Sequence, residues 1–450
     1  MKITFRPGLS AWPPLLSAAL LLAACGEYAE SPTLARMSAL TDSLPALSAG
    51  EGDDLANILR RGLLADPQIR ERAGLISASV DQIAIERAAL FPQLSLGVVG
   101  GVGDAGAGDG RVELSGEQLV FDFGGTDRAI AASDIELQAQ YQRFQSQIDD
   151  TVVRILTTYR KIAMMEEVVA EKIAQLAAMR ELYDNINSRI TIGAQSRPDL
   201  LEVNGRLERA EFELLDARLE LSELRDELAR LAGTDRGGPI PEFPGTCRPP
   251  QGVSGDLLLA QLEHAAAALA LEEAEKAVYP GITLNPIGQL DLGTGDVTTG
   301  INLGLSTSIF NGGALSARVN QARNRLASAE AALQQAERDQ QLAARRLERQ
   351  TASSREKQAM LQRQIALQRE TVDLYRSQYI DLGTRQITDL LDAQETLYDR
   401  RVELVQTRFD MQEHLVACAA LSGTLRPTVG LTNAQLHGYP LDLPQVEFAP

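Results

Sequence analysis

From Thr126 to Ile192 the chain runs 67 residues without a glycine or proline, and from Ala314 to Leu382 it does so again for 69. Nothing in either run breaks a helix, and at 1.5 Å per residue each would reach about 100 Å. A globule of this chain length would be only about 60 Å across. The two runs therefore predict an extended coiled coil or a helical wall. The segment returning from the first run carries an apolar seam: Leu200, Val203, Leu207, Ala210, Leu214, Ala217, Leu221, Leu224, Leu228 and Leu231. Its steps alternate three and four, the spacing of paired helices. Val319, Ala322, Leu326, Ala329, Leu333, Ala336, Gln340, Ala343 and Leu347 continue the pattern on the second run. Alanine knobs allow close approach, and the other faces are rich in Glu, Gln and Arg, as solvated faces should be.

The two runs belong to a tandem duplication. Phe91-Pro92-Gln93-Leu94 parallels Tyr279-Pro280-Gly281-Ile282, and Gly124-Gly125 parallels Gly312-Gly313, both 188 residues on. Gly193 parallels Gly383, Asp199-Leu200-Leu201 parallels Asp389-Leu390-Leu391, and Leu231-Ala232-Gly233-Thr234 parallels Leu421-Ser422-Gly423-Thr424, all at 190. Landmarks that keep order and spacing define the units. Residues 25–232 form repeat one, 233–255 a Gly/Pro-rich linker, 256–424 repeat two and 425–450 a loosely ordered tail.

Each repeat also carries two short alternating segments after its aromatic-Pro step, which halts helix. Ile301, Leu303, Leu305, Thr307 and Ile309 alternate with Asn302, Gly304, Ser306 and Ser308. This is the pattern of a strand with one apolar face. Four strands are predicted: about 93–103, 111–123, 281–293 and 297–310. Each could span a membrane when tilted. Four strands cannot close a barrel, and lipid does not tolerate open sheet edges. If these strands are in a membrane, several chains share one barrel.

The N-terminus reads as an export signal. Lys2 and Arg6 precede an apolar run ending in Leu22-Ala23-Ala24-Cys25-Gly26. A positive start and an apolar core too short to span a bilayer mark a secretory signal over 1–24. Leu-Ala-Ala-Cys resembles the bacterial lipobox, which implies acylation of Cys25 and, with Gly26 next, an outer-membrane destination. No later segment has 18 consecutive apolar residues. The formal net charge of −18 excludes a basic nucleic-acid binder. Three His and three Cys leave little material for a metal or nucleophile site. Gly101-Val102-Gly103-Asp104-Ala105-Gly106 fits a dinucleotide fingerprint, but a strand rather than a helix follows, so it reads as a hairpin loop. His414 falls in register with the second-repeat seam and reads as a packed residue. His264 and His437 have no Cys or His neighbours in the sequence.

Over residues 50–425 the chain resembles the TolC-type outer-membrane efflux channel family. The most specific stretch is Leu382-Gly383-Thr384-Arg385-Gln386-Ile387-Thr388-Asp389-Leu390-Leu391-Asp392-Ala393, followed by Thr396-Leu397-Tyr398. The resemblance implies a mostly α, mixed α and β fold: a homotrimer with one twelve-stranded membrane barrel, continued by a long α-helical barrel across the periplasm. It implies a non-enzymatic exit duct of a tripartite efflux or type I secretion system. The duct would be served by a periplasmic adaptor (membrane fusion) protein and an inner-membrane pump of RND or ABC type. Covalent lipid on Cys25 would be the only attached group. The turns Ile192-Gly193-Ala194 and Leu382-Gly383-Thr384 match tips that dock the adaptor. Asp389 and Asp392, one helix turn apart, match the aperture aspartates, and Arg385 with Asp199 matches the lock of the closed tip. Tyr379 stands four residues before Gly383 where the family places a tyrosine three before, so its contact is not carried over. Cys247 and Cys418 both fall in the mid-barrel region by resemblance, where the oxidising periplasm permits a disulfide between them. A lipid-tethered periplasmic coiled coil that never inserts remains the alternative.

Overall fold

The structure, a computed structural model, describes residues 31–50, 52–103, 106–191, 196–244, 253–307 and 311–441. Three helices open it: α1 (Pro32–Ser43), α2 (Leu55–Ala65) and α3 (Pro67–Ala88). Strands β1 (Gln93–Gly103) and β2 (Gly106–Phe121) lead into α4 (Gly125–Thr191), and α5 (Arg197–Ala232) returns. The second repeat follows as α6 (Gly255–Lys276), β3 (Gly281–Asp291), β4 (Val297–Ser306), α7 (Ala314–Ile380) and α8 (Ile387–Leu421). A short α9 (Leu425–Thr428) and the two-residue strands β5 (Gln435–Leu436) and β6 (Tyr439–Pro440) close the chain. The fold is mostly helical with four long strands per chain.

Both strand-to-helix junctions use the same device. Gly124 (φ +75°) and Gly312 and Gly313 (φ +66° and +88°) adopt left-handed backbone that a side chain would strain. The Asp122 carboxylate accepts from Gly124 N at 3.1 Å, Thr126 N at 2.6 Å and Thr126 Oγ1 at 2.7 Å, capping α4. Asn311 Oδ1 does the same for Leu315 N at 3.2 Å in repeat two.

The four strands form one antiparallel sheet in the order β1-β2-β3-β4. Its register sorts the faces. Leu96 pairs with Leu114, which pairs with Gly288; Val98 pairs with Val112, Val112 with Leu290, and Leu290 with Val297. On the other face Gly97 pairs with Glu113, Glu113 with Gln289, and Gln289 with Thr298. Ser95 and Ser115 share a hydrogen bond of 2.7 Å there. The apolar face is bare in a single chain: Leu96, Val98, Ile301 and Leu303 are 66–72% exposed. The outer edges of β1 and β4 have no strand partner among the described residues.

The strand limits differ from the sequence expectation where turns intervene. β2 starts at Gly106, five residues early, because its glycines pair with β1 although they carry no alternation. β3 stops at Asp291, whose Oδ1 accepts from Gly293 N at 2.8 Å and Thr294 N at 2.9 Å and bends the chain.

Two cores hold the helices. The larger joins α1–α3, the first two-thirds of α4 and the ends of α5 and α8, around Ile58, Leu59, Phe144, Ile148, Ile155 and Leu228. The smaller lies at the far ends of the hairpins, around Met179, Ile186, Val203, Leu390 and Leu391. The first-repeat seam is covered as its spacing required. On α7 only Ala322 of the seam is buried, and its other members are half-covered in the single chain. Among the described residues no helix is long and apolar enough to cross a membrane.

The C-terminal segment corrects the expectation of a loose tail. Residues 425–441 are built into the larger core: Leu425, Leu431, Leu436 and Leu441 are at most 1% exposed. Arg426 anchors them, donating from Nε to Asp149 Oδ1 at 2.7 Å and from Nη2 to Asp149 Oδ2 at 2.8 Å and to the Gln145 carbonyl at 3.0 Å. It also donates to the Leu441 carbonyl. Residues 442–450 lie outside the described part.

The first part of the linker, around Gly237, is likewise seated. A Cβ at Gly237 would stand 2.4 Å from the Tyr159 carbonyl oxygen and 2.5 Å from Ile162 Cβ. Gly237→Ala must therefore lift the linker off α4, and we expect a loss of about 1–3 kcal/mol, the usual range for overpacking. It is read as a lower unfolding midpoint, with Gly233→Ala, which meets no atom but strains a positive φ, as comparison.

Candidate aperture at the hairpin tips

The turn between α7 and α8 follows from its sequence. The Asp381 and Leu382 amides donate to the Ser377 carbonyl at 2.8 and 3.3 Å, and Thr384 N donates to Gln378 O at 3.0 Å. Gly383 takes φ +63°, the left-handed step that closes a helix end. Leu382 is 67% exposed, an apolar side chain offered to solvent at the turn. The matching turn of repeat one, with Ile192, Gly193 and Ala194, lies outside the described residues. So do Cys25 and Cys247. Cys418 is buried on α8 and disulfide-bonded.

Asp389 lies in the first turn of α8 and Asp199 in the first turn of α5. Carboxylates there are favoured by the helix dipole. The structure gives Arg385 and Asp199 separate partners within one chain. Arg385 Nη1 lies 3.3 Å from Asp389 Oδ2, its Nε donates to Gln378 Oε1 at 3.2 Å, and its guanidinium sits 4.0 Å over the Tyr375 ring. Asp199 Oδ2 accepts from the Tyr379 hydroxyl at 3.4 Å. Tyr379, to which the sequence spacing gives no role, thus meets Asp199. Tyr379 is buried beside Val203 and Leu390 in the smaller core, which fixes its ring.

One further turn along α8, Asp392 and Glu395 meet Arg206 of α5. Arg206 Nη2 lies 2.9 Å from Asp392 Oδ1, its Nη1 bonds Glu395, and its Nε lies 3.3 Å from Glu202 Oε1. Arg209 Nη1 adds a longer pair to Glu395 at 3.7 Å. Burial alone would lower the Arg206 pKa, but Glu395, Glu202 and Asp392 together raise it. Glu395 is pushed up by its own burial, which outweighs Arg206 and Arg209, and by the Asp392 and Asp399 charges. The cluster is acid-rich and its one central cation is held charged.

Sequence reading named Asp389, Asp392, Arg385 and Asp199 and missed Arg206, Glu202, Glu395 and Tyr375. One signal was available. Glu202 is the counterpart of Asp392 at the 190-residue offset, and Arg206 stands one helix turn after it. Among the described residues no His, Cys, Asp and Glu group could hold a metal ion.

The comparisons with known proteins agree with this architecture. Outer membrane efflux protein BepC of Brucella suis is 24% identical over 393 residues, covering 83% of this chain and 85% of its own. Outer membrane protein TolC of Escherichia coli is 22% identical, with 86% of each chain covered. Among solved structures, a membrane protein from Pseudomonas aeruginosa superposes with a TM-score of 0.74 at 19% identity, over 86% of this chain and 93% of that one. The family profile described as outer membrane efflux protein matches residues 58–234 and 253–424, one segment in each repeat. With most of its length matched in two copies of one unit, the chain belongs to the outer membrane efflux protein family.

Proposed function

We propose that three copies of this chain form the outer-membrane exit duct of a tripartite efflux or type I secretion system. The sheet carries the reading. It presents a continuous apolar face and two edges unpartnered among the described residues, directly joined to helices of 67 residues. In lipid such edges must be paired, and three chains would supply twelve strands, with β4 of one against β1 of the next. The polar face, with Glu113, Gln289 and Ser115, would then line the lumen. A periplasmic coiled coil that stays out of the membrane offers no cover for that apolar face.

The helices would extend the lumen across the periplasm to the tips. There, rings of Asp389 and Asp392 favour cations and narrow the passage. Arg385, Asp199 and Tyr379 hold the tip closed, and Leu382-Gly383-Thr384, with Ile192-Gly193-Ala194, docks a periplasmic adaptor. An inner-membrane pump of RND or ABC type supplies the energy. Lipid on Cys25 anchors each chain beside the barrel, and Cys418 pairs with Cys247, holding the linker to α8.

Native mass spectrometry of the detergent-extracted protein, followed by planar-bilayer recording, tests this. We expect a trimer with one acylated Cys25 per chain and a cation-blockable conductance. Asp389→Asn with Asp392→Asn removes six carboxylates per trimer, and the half-blocking concentration of hexaamminecobalt(III) should rise by about tenfold or more. A monomer released without detergent, or a trimer that conducts nothing, overturns the proposal.

A further inference from the structure

The acidic rings do not stand alone. Arg206 sits at one level of the tip, 19% exposed at its side chain, among Glu202, Asp392 and Glu395. These acids come from both repeats. Glu202 belongs to α5 and its counterpart Asp392 to α8, so one guanidinium bridges the pseudo-equivalent carboxylates of the two hairpins. Its own counterpart at the 190-residue offset is Thr396, so repeat two brings no second cation to this position. Helices α5 and α8 otherwise meet only sparsely. Planar geometry suits arginine to this task, because its fork reaches several carboxylates at once.

We propose that Arg206 sets the charge of the aperture, as a specificity-determining residue for conduction. The inference rests on the channel reading above. Among the groups joined by ion pairs at the Asp392 level, each chain carries three carboxylates, Glu202, Asp392 and Glu395, against two guanidiniums, Arg206 and Arg209. One negative charge remains per chain, or three per trimer. Asp392 is 63% exposed even while paired, against 19% for Arg206, so the carboxylate is the more accessible of the two. Arg206 thus weakens the cation-binding ring at this level and leaves Asp389, with its flanking Arg385, as a separate ring nearer the turn. Without Arg206 the trimer carries six negative charges here instead of three, within a confined passage where they act together.

The test is planar-bilayer recording of the full-length trimer, with hexaamminecobalt(III) as blocker and a potassium chloride gradient for the reversal potential. In Arg206→Gln the half-blocking concentration should fall on the order of tenfold, and the reversal potential should move toward the cation value. Arg206→Lys, which keeps the charge and loses the fork, should stay near wild type in both. A merely structural clasp would alter conductance in both variants and leave the block unchanged. Unchanged block and reversal potential in Arg206→Gln, or an equal shift in Arg206→Lys, overturns the assignment. If Arg206→Gln fails to assemble, Glu395→Gln reads the same balance from the other side. It makes the ion-paired groups neutral and should weaken the block, and an unaltered block there also overturns it. A wild-type chain that conducts nothing fails the channel reading instead, so the two failures are distinct.

Discussion

Leu303→Arg is expected to prevent stable insertion of the trimer. Leu303 is 72% exposed on the apolar face of β4, between Ile301 and Leu305. An arginine on the lipid face near the membrane midplane costs about 2–4 kcal/mol, and a trimer would carry three of them. The neighbouring Asn302 supplies the control. It pairs with Asn285 on the polar face, so Asn302→Arg points to the lumen and should assemble normally. Trimer recovery on unheated electrophoresis and flotation with liposomes separate the two variants. Equal assembly of both would mean that the strand faces are assigned wrongly or that the sheet does not enter lipid.

Arg426→Ala should be the most damaging single change among the buried polar residues. It removes a bidentate pair with Asp149 and donors to two backbone carbonyls, and leaves acceptors that little water can reach. Truncating one partner of a buried pair typically costs about 3–5 kcal/mol. Asp149 keeps 32% exposure, so we expect the lower end of that range. Arg426→Lys should recover only part, since an ammonium cannot reproduce the fork. The measurement is the unfolding midpoint together with the rate of proteolysis within 425–441. A tail that merely drapes over the helices would show no change in either.

The C-terminal segment and the long helices differ in how far the sequence alone reveals them. The long helices were legible because an unbroken run with a three-four seam admits few other folds. The duplication then marked the strand pair and the long helical hairpin twice, so a weak signal in repeat one gained support from repeat two. The sheet was legible from β4, where alternation is strict, and its faces followed. The C-terminal segment had no such handle. Leu425, Val429, Leu431, Leu436 and Leu441 follow neither helical nor strand period, and the partner that orders them, Asp149, lies 277 residues away. The aperture divides the same way. Asp389 and Arg385 are one turn apart on one segment, so their pairing is local. Arg206 reaches Glu395 across 189 residues and Asp392 across 186, and no periodicity brings α5 beside α8. Tyr379 stands one residue off the family spacing. Its burial in the smaller core, rather than its distance from Gly383, is what directs its hydroxyl to Asp199.

The bare edges of β1 and β4 also govern how such a chain must be born. Its helical hairpins close through contacts between neighbouring segments and can form early, each chain by itself. The sheet cannot follow at the same pace. β2 and β3 meet only after a whole hairpin lies between them, and even the finished sheet leaves one greasy face and two sticky rims in water. A solitary subunit in the aqueous space is therefore a candidate for wrong partnerships along those rims. In the proposed duct, maturation would couple three events, the meeting of three subunits, closure of the ring and passage into lipid, with no long-lived stage between them.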